Sequence, residues 1–220
     1  MKKLKRLFLL GIFVGSLAAC AQNEAKEVIM QGENSQEEII MENQEVSLEN
    51  YVEDFPDYEF TEELDDTVDD RHFEAEEAPE NIVEELVFHD YSYDIKGEFD
   101  KLLEIYGEEE ALKISARNTK KSFDEGAYMK EYVIHDLSTW SKEDFQNSDY
   151  DFMHILKSDI LKNQFTSFAI VQVDISMEWS KAALDRGPQL GNGEYTRLFL
   201  CGKNSDDDSW KIYEIYWVDE

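Results

Sequence analysis

The 220-residue sequence predicts an α+β domain over residues 79–220, with helices first and antiparallel strands last. Three observations lead there. From Ala169 the odd positions Val171, Val173, Ile175, Met177 and Trp179 are apolar while Gln172, Asp174, Ser176 and Glu178 are polar, the period of a strand with one wet face. Residues 82–123 and 152–160 instead carry apolar side chains at helical steps. The chain then closes on two sheet-forming runs, 195–201 and 210–218, joined by the polar turn 202–209.

Residues 1–19 have the plan of a secretory signal peptide: basic Lys2, Lys3, Lys5 and Arg6, an apolar run from Leu7 to Leu17, then Ala18 and Ala19. Cys20 follows directly. Leu17-Ala18-Ala19-Cys20 resembles a bacterial lipobox, which implies cleavage between Ala19 and Cys20 and a diacylglycerol on Cys20. The apolar run is short for a membrane span of about 20 residues. Attachment would therefore rest on the lipid, two or three acyl chains holding where one does not. The expected place is the outer face of the cell membrane.

The chain has 21 basic residues against 51 acidic ones. Four of the basic residues lie in the signal, leaving 17 against 51, a net charge of −34 for a chain starting at Cys20. Such a charge repels phosphate, which argues against a nucleic-acid partner, and it also repels an anionic lipid surface. With Cys20 lipidated only Cys201 remains, so no internal disulfide forms and stability must come from a packed core.

Residues 21–80 hold 22 acids and two bases, Lys26 and Arg71. That self-repulsion predicts a disordered tether over residues 20–78, spanning about 40 to 45 Å as a flexible coil. Within it, 28–34 and 39–44 look like a short, decayed duplication, too few copies for a solenoid. Tyr51, Phe55, Tyr58 and Phe60 mix aromatic and acidic character, so this stretch is either a partner-docking segment or plain acidic linker.

Composition changes at Pro79, a suitable first helical residue, and Ile82, Val83, Leu86 and Val87 follow at helical spacing. A break is expected at Ser92–Gly97, then a helical stripe Phe99, Leu102, Leu103, Tyr106 ended by Gly107. Residues 108–123 read as the next helix and Gly126 as its stop. Tyr128 to Leu137 reads as a strand. Ser141 and Asp144 form a helix-starting pair, and Phe152, Ile155, Leu156 and Ile160 a helix ended at Asn163. Residues 181–193 are expected to be irregular, and Leu198, Phe199 and Leu200 make 195–201 a central strand. In the last strand Trp210, Ile212 and Tyr216 are expected on one face and Tyr213, Ile215 and Trp217 on the other.

This order, with a closing hairpin whose last strand begins Ser209-Trp210-Lys211-Ile212, resembles the nuclear transport factor 2-like (cystatin-like) cone. Lys120-Lys121-Ser122-Phe123 to Ile134 and Glu194 to Tyr213 are similar to pieces of small bacterial lipoprotein domains of unknown function. The likeness covers roughly residues 80–220 and implies helices packed into a strongly curved antiparallel sheet. Enzymes of that fold place an Asp or His base and a Tyr or Asp donor inside the cone, which directs attention to Tyr132, His135, Asp136, His154 and Asp174. Periodicity puts Asp174 on the wet face and His135 beside Val133 and Leu137 on its strand.

No nucleophile and base stand at a readable spacing, so no catalytic residue is assigned. The histidines (72, 89, 135, 154) are scattered, Cys201 is solitary, and the Asp206–Asp208 run lacks the spacing of a calcium loop, so neither metal nor cofactor is expected. Tyr132, His135, Trp140 and Trp217 are the candidate pocket residues. The resulting expectation is a lipid-anchored, non-enzymatic module that binds an envelope protein or small ligand. The alternative is a small isomerase-like or hydrolytic enzyme.

Overall fold

A computed structural model describes residues 45–218. The lipobox, Cys20 and the duplicated segment lie outside the described residues. After a 3-10 turn at Leu48–Asn50 come β1 (Asp65–Val68), β2 (Arg71–Ala75), α1 (Ile82–Lys96), α2 (Phe99–Ile105), α3 (Glu110–Asp124) and β3 (Met129–Thr139). Then follow α4 (Lys142–Asn147), α5 (Met153–Asn163), β4 (Ser167–Trp179), α6 (Lys181–Arg186), β5 (Gly193–Lys203) and β6 (Lys211–Val218). The architecture is α+β, with one six-stranded sheet in the order β1-β2-β3-β4-β5-β6. All neighbours are antiparallel except β2 and β3, which run parallel because α1, α2 and α3 cross between them.

Both faces of the sheet are covered. On one, α1 and α2 pack Val83, Val87, Tyr91 and Leu102 against Phe73, Ile134, the odd positions of β4 and Phe199. On the other, α4 and α5 bring Phe145, Leu156 and Ile160 onto Phe168, Ile170, Leu198 and Leu200. The wet face expected for β4 is therefore confined to its second half, where Gln172, Asp174 and Ser176 are half-exposed. β5 is central, as expected from its two apolar faces.

The expected tether is a correction. Residues 45–78 pack on the body, and the folded unit does not start at 79. Tyr51 is 3% exposed, donates its hydroxyl to the Trp140 carbonyl at 2.8 Å and stands edge-on to Phe168 at 5.2 Å. Val52 N–H donates to the Phe168 carbonyl. Phe55 meets Trp210, Phe60 meets Phe88, and Phe73 in β2 is fully buried. Burying such a side chain stabilises by about 1.5–3 kcal/mol. Average composition hides this, because the many acids surround a few aromatics, Tyr51, Phe55, Phe60 and Phe73, that pack on the cores.

One expectation narrows and two change. The break expected at Ser92–Gly97 falls at the far end of that stretch: α1 runs on to Lys96, and Gly97, at φ 73°, turns the chain where an added Cβ would lie 2.9 Å from Phe123. Ser92 is wholly buried within that helix. Residues 181–186 are helical, capped by Ser180 Oγ accepting from Ala183 N–H. In β6 a register shift opposite Leu200 and Cys201 breaks alternation, so Ile212 and Ile215 face one core and Tyr213 and Tyr216 the other. The starting pair Ser141 and Asp144 forms a full capping box.

Candidate functional site

A cavity of about 640 Å³ lies between the helices and one end of the sheet, lined by the first halves of β3 and β5 and the second halves of β4 and β6. α1 supplies Asp90 and Asp94, one turn apart and so on one face. Tyr106, after α2, donates to Asp90 Oδ1 at 2.6 Å, and Tyr132 in β3 donates to Asp94 Oδ2 at 2.8 Å. β5 contributes Arg197, whose guanidinium lies 3.5 Å from the centre of the Trp217 ring, a close cation–π contact. Trp179, Leu102, Leu112 and Ile215 make the apolar wall. Leu190 closes one side, its carbonyl accepting from the Trp179 indole at 3.0 Å.

Burial pushes both carboxyls up to about 6, against the opposing pull of the tyrosine hydroxyls and of Arg197. Tyr106 and Tyr132 are raised well above the usual phenol range, first by burial and then by these carboxylates. Arg197 Nε and Tyr91 Oη are buried without a hydrogen-bond partner among the described residues. Arg197 Nη2 has only the Met177 sulfur, at 3.4 Å. A site of this kind combines aromatic and aliphatic walls with unmatched donors and with carboxyls that titrate near neutrality.

The four candidate pocket residues are not brought together. Tyr132 and Trp217 line this cavity, with Trp217 at its rim and 38% exposed. Tyr132 and Ile134 face the core on the cavity side, so simple alternation turns His135 to the opposite face of β3. It pairs with Glu76 and with Ser176 Oγ, each at 2.7 Å, in a separate open groove beside Asp174 and Glu194. Trp140 belongs to the other core, donating its indole N–H to Gln172 and stacking on Tyr150. Asp136 accepts from Ser138, Asp174 accepts from Thr196, and His154 is exposed near the start of α5. None of these three lines the cavity. Cys201 is fully buried and its thiol is pushed up by burial, which keeps it inert.

Asp90, Asp94, Tyr106 and Arg197 escape a sequence reading, although the two aspartates leave a trace. They continue the Val83, Leu86, Val87 stripe at steps of three and four, so acids occupy inward-facing positions. A break over Ser92–Gly97 leaves Asp94 outside that stripe, whereas the helix runs on to Lys96. The one group among the described residues with metal-ligating geometry, Glu62 before β1 with Glu85 and His89 on α1, does not line the cavity. No described helix is long and apolar enough to cross a membrane. Comparison with family models, with curated proteins and with solved structures finds no match.

Proposed function

We propose that this chain is a lipid-anchored envelope protein, held through Cys20 on the outer face of the cell membrane, whose body is a cone-like binding module for a small ligand. The observation that carries the binding reading is the cavity, lined by Arg197, whose Nε is buried without a hydrogen-bond partner among the described residues, and by the aromatic walls Trp179 and Trp217. A buried polar group without a partner costs about 1–3 kcal/mol, which a ligand acceptor would recover. The ligand is neutral or cationic overall, since Asp90 and Asp94 outnumber Arg197 and the whole chain carries −30. Its body is apolar or glycan-like, to suit Trp179 and Trp217.

The test is mass spectrometry of small molecules retained by the native lipoprotein, compared with Arg197→Ala and Trp217→Ala. Both variants should lose the retained species; equal retention would remove the cavity from the reading. The anchor is tested by metabolic labelling with a fatty-acid analogue. Cys20→Ala should abolish the label, and a labelled variant would refute the attachment.

A second reading is favoured by one feature, the two Tyr–Asp pairs titrating near pH 6 inside a cavity. Such carboxyls suit proton transfer to and from a bound substrate, as an isomerase requires. Asp94→Asn separates the two readings. A binding module keeps its ligand unaltered in both forms, whereas an enzyme converts it only in the parent.

A further inference from the structure

The segment before β1 crosses α1 and sets Glu62 beside Glu85 and His89, two residues one turn apart on the helix. One ligating atom from each side chain lies within 4.8 Å of the other two, and His89 Nε2 is 3.1 Å from Glu62 Oε1. Two ligands each about 2.0–2.2 Å from a zinc ion stand roughly 3 to 3.5 Å apart, so this pair is already at the spacing that a shared cation needs. Neither carboxylate has a Lys or Arg within salt-bridge distance among the described residues; His89 is the one basic partner of Glu62, and Glu85 has none. The imidazole separates this group from the acid runs elsewhere on the surface, because a neutral ring nitrogen with two carboxylates suits a borderline cation rather than a purely oxygen-seeking one. His89 is held in place by stacking on Tyr93, with ring centres 4.7 Å apart at 14°. None of the three residues lines the cavity, so the site does not depend on the ligand-binding reading.

We infer that Glu62, Glu85 and His89 form a site for one borderline divalent cation of the zinc class, which clamps the segment before β1 onto α1. Three protein ligands leave room for water at a fourth position. The cation adds a cross-link between residues 23 positions apart (Glu62 to Glu85), made on folding and lost on unfolding.

The test uses the full chain, stripped with a chelator and titrated with zinc chloride by calorimetry. The expected result is one tight site per chain, at least about tenfold weaker in His89→Gln and in Glu62→Gln. His89→Gln keeps a planar group over Tyr93, so lost binding would not reflect lost folding; thermal unfolding without metal checks this by matching the parent. Free zinc at about 100 times Kd should raise the Tm of the parent by about 5–10 °C and that of the variants by much less. Zinc binding of equal strength in the parent and both variants, meaning diffuse association with surface acids, would overturn the inference, as would no binding to the parent.

Discussion

Asp90→Asn tests whether burial or pairing dominates the cavity's electrostatics. Asp90 is 8% exposed, and its carboxyl is raised from 3.8 to about 6 although Tyr106 and Arg197 both favour the charged form. At 1.36 kcal/mol for each tenfold step in proton affinity, that rise corresponds to about 3 kcal/mol against the ionised state. The folded protein therefore binds this proton more tightly than the unfolded chain. The associated stability is present below about pH 3.8 and is lost as pH rises through about 6. Asparagine has the same shape, still accepts from Tyr106 and carries no charge. Urea unfolding should therefore show Asp90→Asn more stable than the parent by about 1–3 kcal/mol at pH 8, and nearly equal to it at pH 4. For a chain of this size the gain at pH 8 is a Tm rise of about 3–10 °C. A variant less stable than the parent at pH 8 would show that Arg197 and Tyr106 more than offset desolvation, and would refute the reasoning.

Two further substitutions probe the packing. Tyr51→Ala removes a buried ring and the hydroxyl that reaches the Trp140 carbonyl, so it should cost about 3–5 kcal/mol by urea unfolding; a loss below 1 kcal/mol would show that residues 45–64 do not belong to the folded unit. Gly202→Ala would place a Cβ 2.5 Å from the Phe165 ring, so calorimetry should show a loss of about 1–3 kcal/mol, whereas the same change at Gly191, with nothing within 4 Å, should be nearly silent.

Much of the element order was legible because it is local. The alternation of β4, the stripes of α2, α3 and α5, and the Ser141–Asp144 box are written in side chains a few residues apart. The site was legible only at Tyr132 and Trp217, two residues of roles that had to be met by partners far along the chain. Asp90 and Asp94 carried a signal in their spacing, but a helix with acids on its inward face reads as interrupted. Nothing in the neighbourhood of Arg197 marks it, since its setting is made by Trp217 on the next strand and Tyr91 on a helix.

The sequence by itself determined the α+β class, the central place of β5 and the strong net acidity, because periodicity and charge are properties of neighbouring residues. The tertiary structure decided where the folded unit begins, since Tyr51, Phe60 and Phe73 are scattered among acids and gain their burial only from distant surfaces. It also decided which side chains share a face. The register slips near His135 and Leu200 each turn the following residues over, and a strand's alternation alone does not show on which neighbour such a slip occurs.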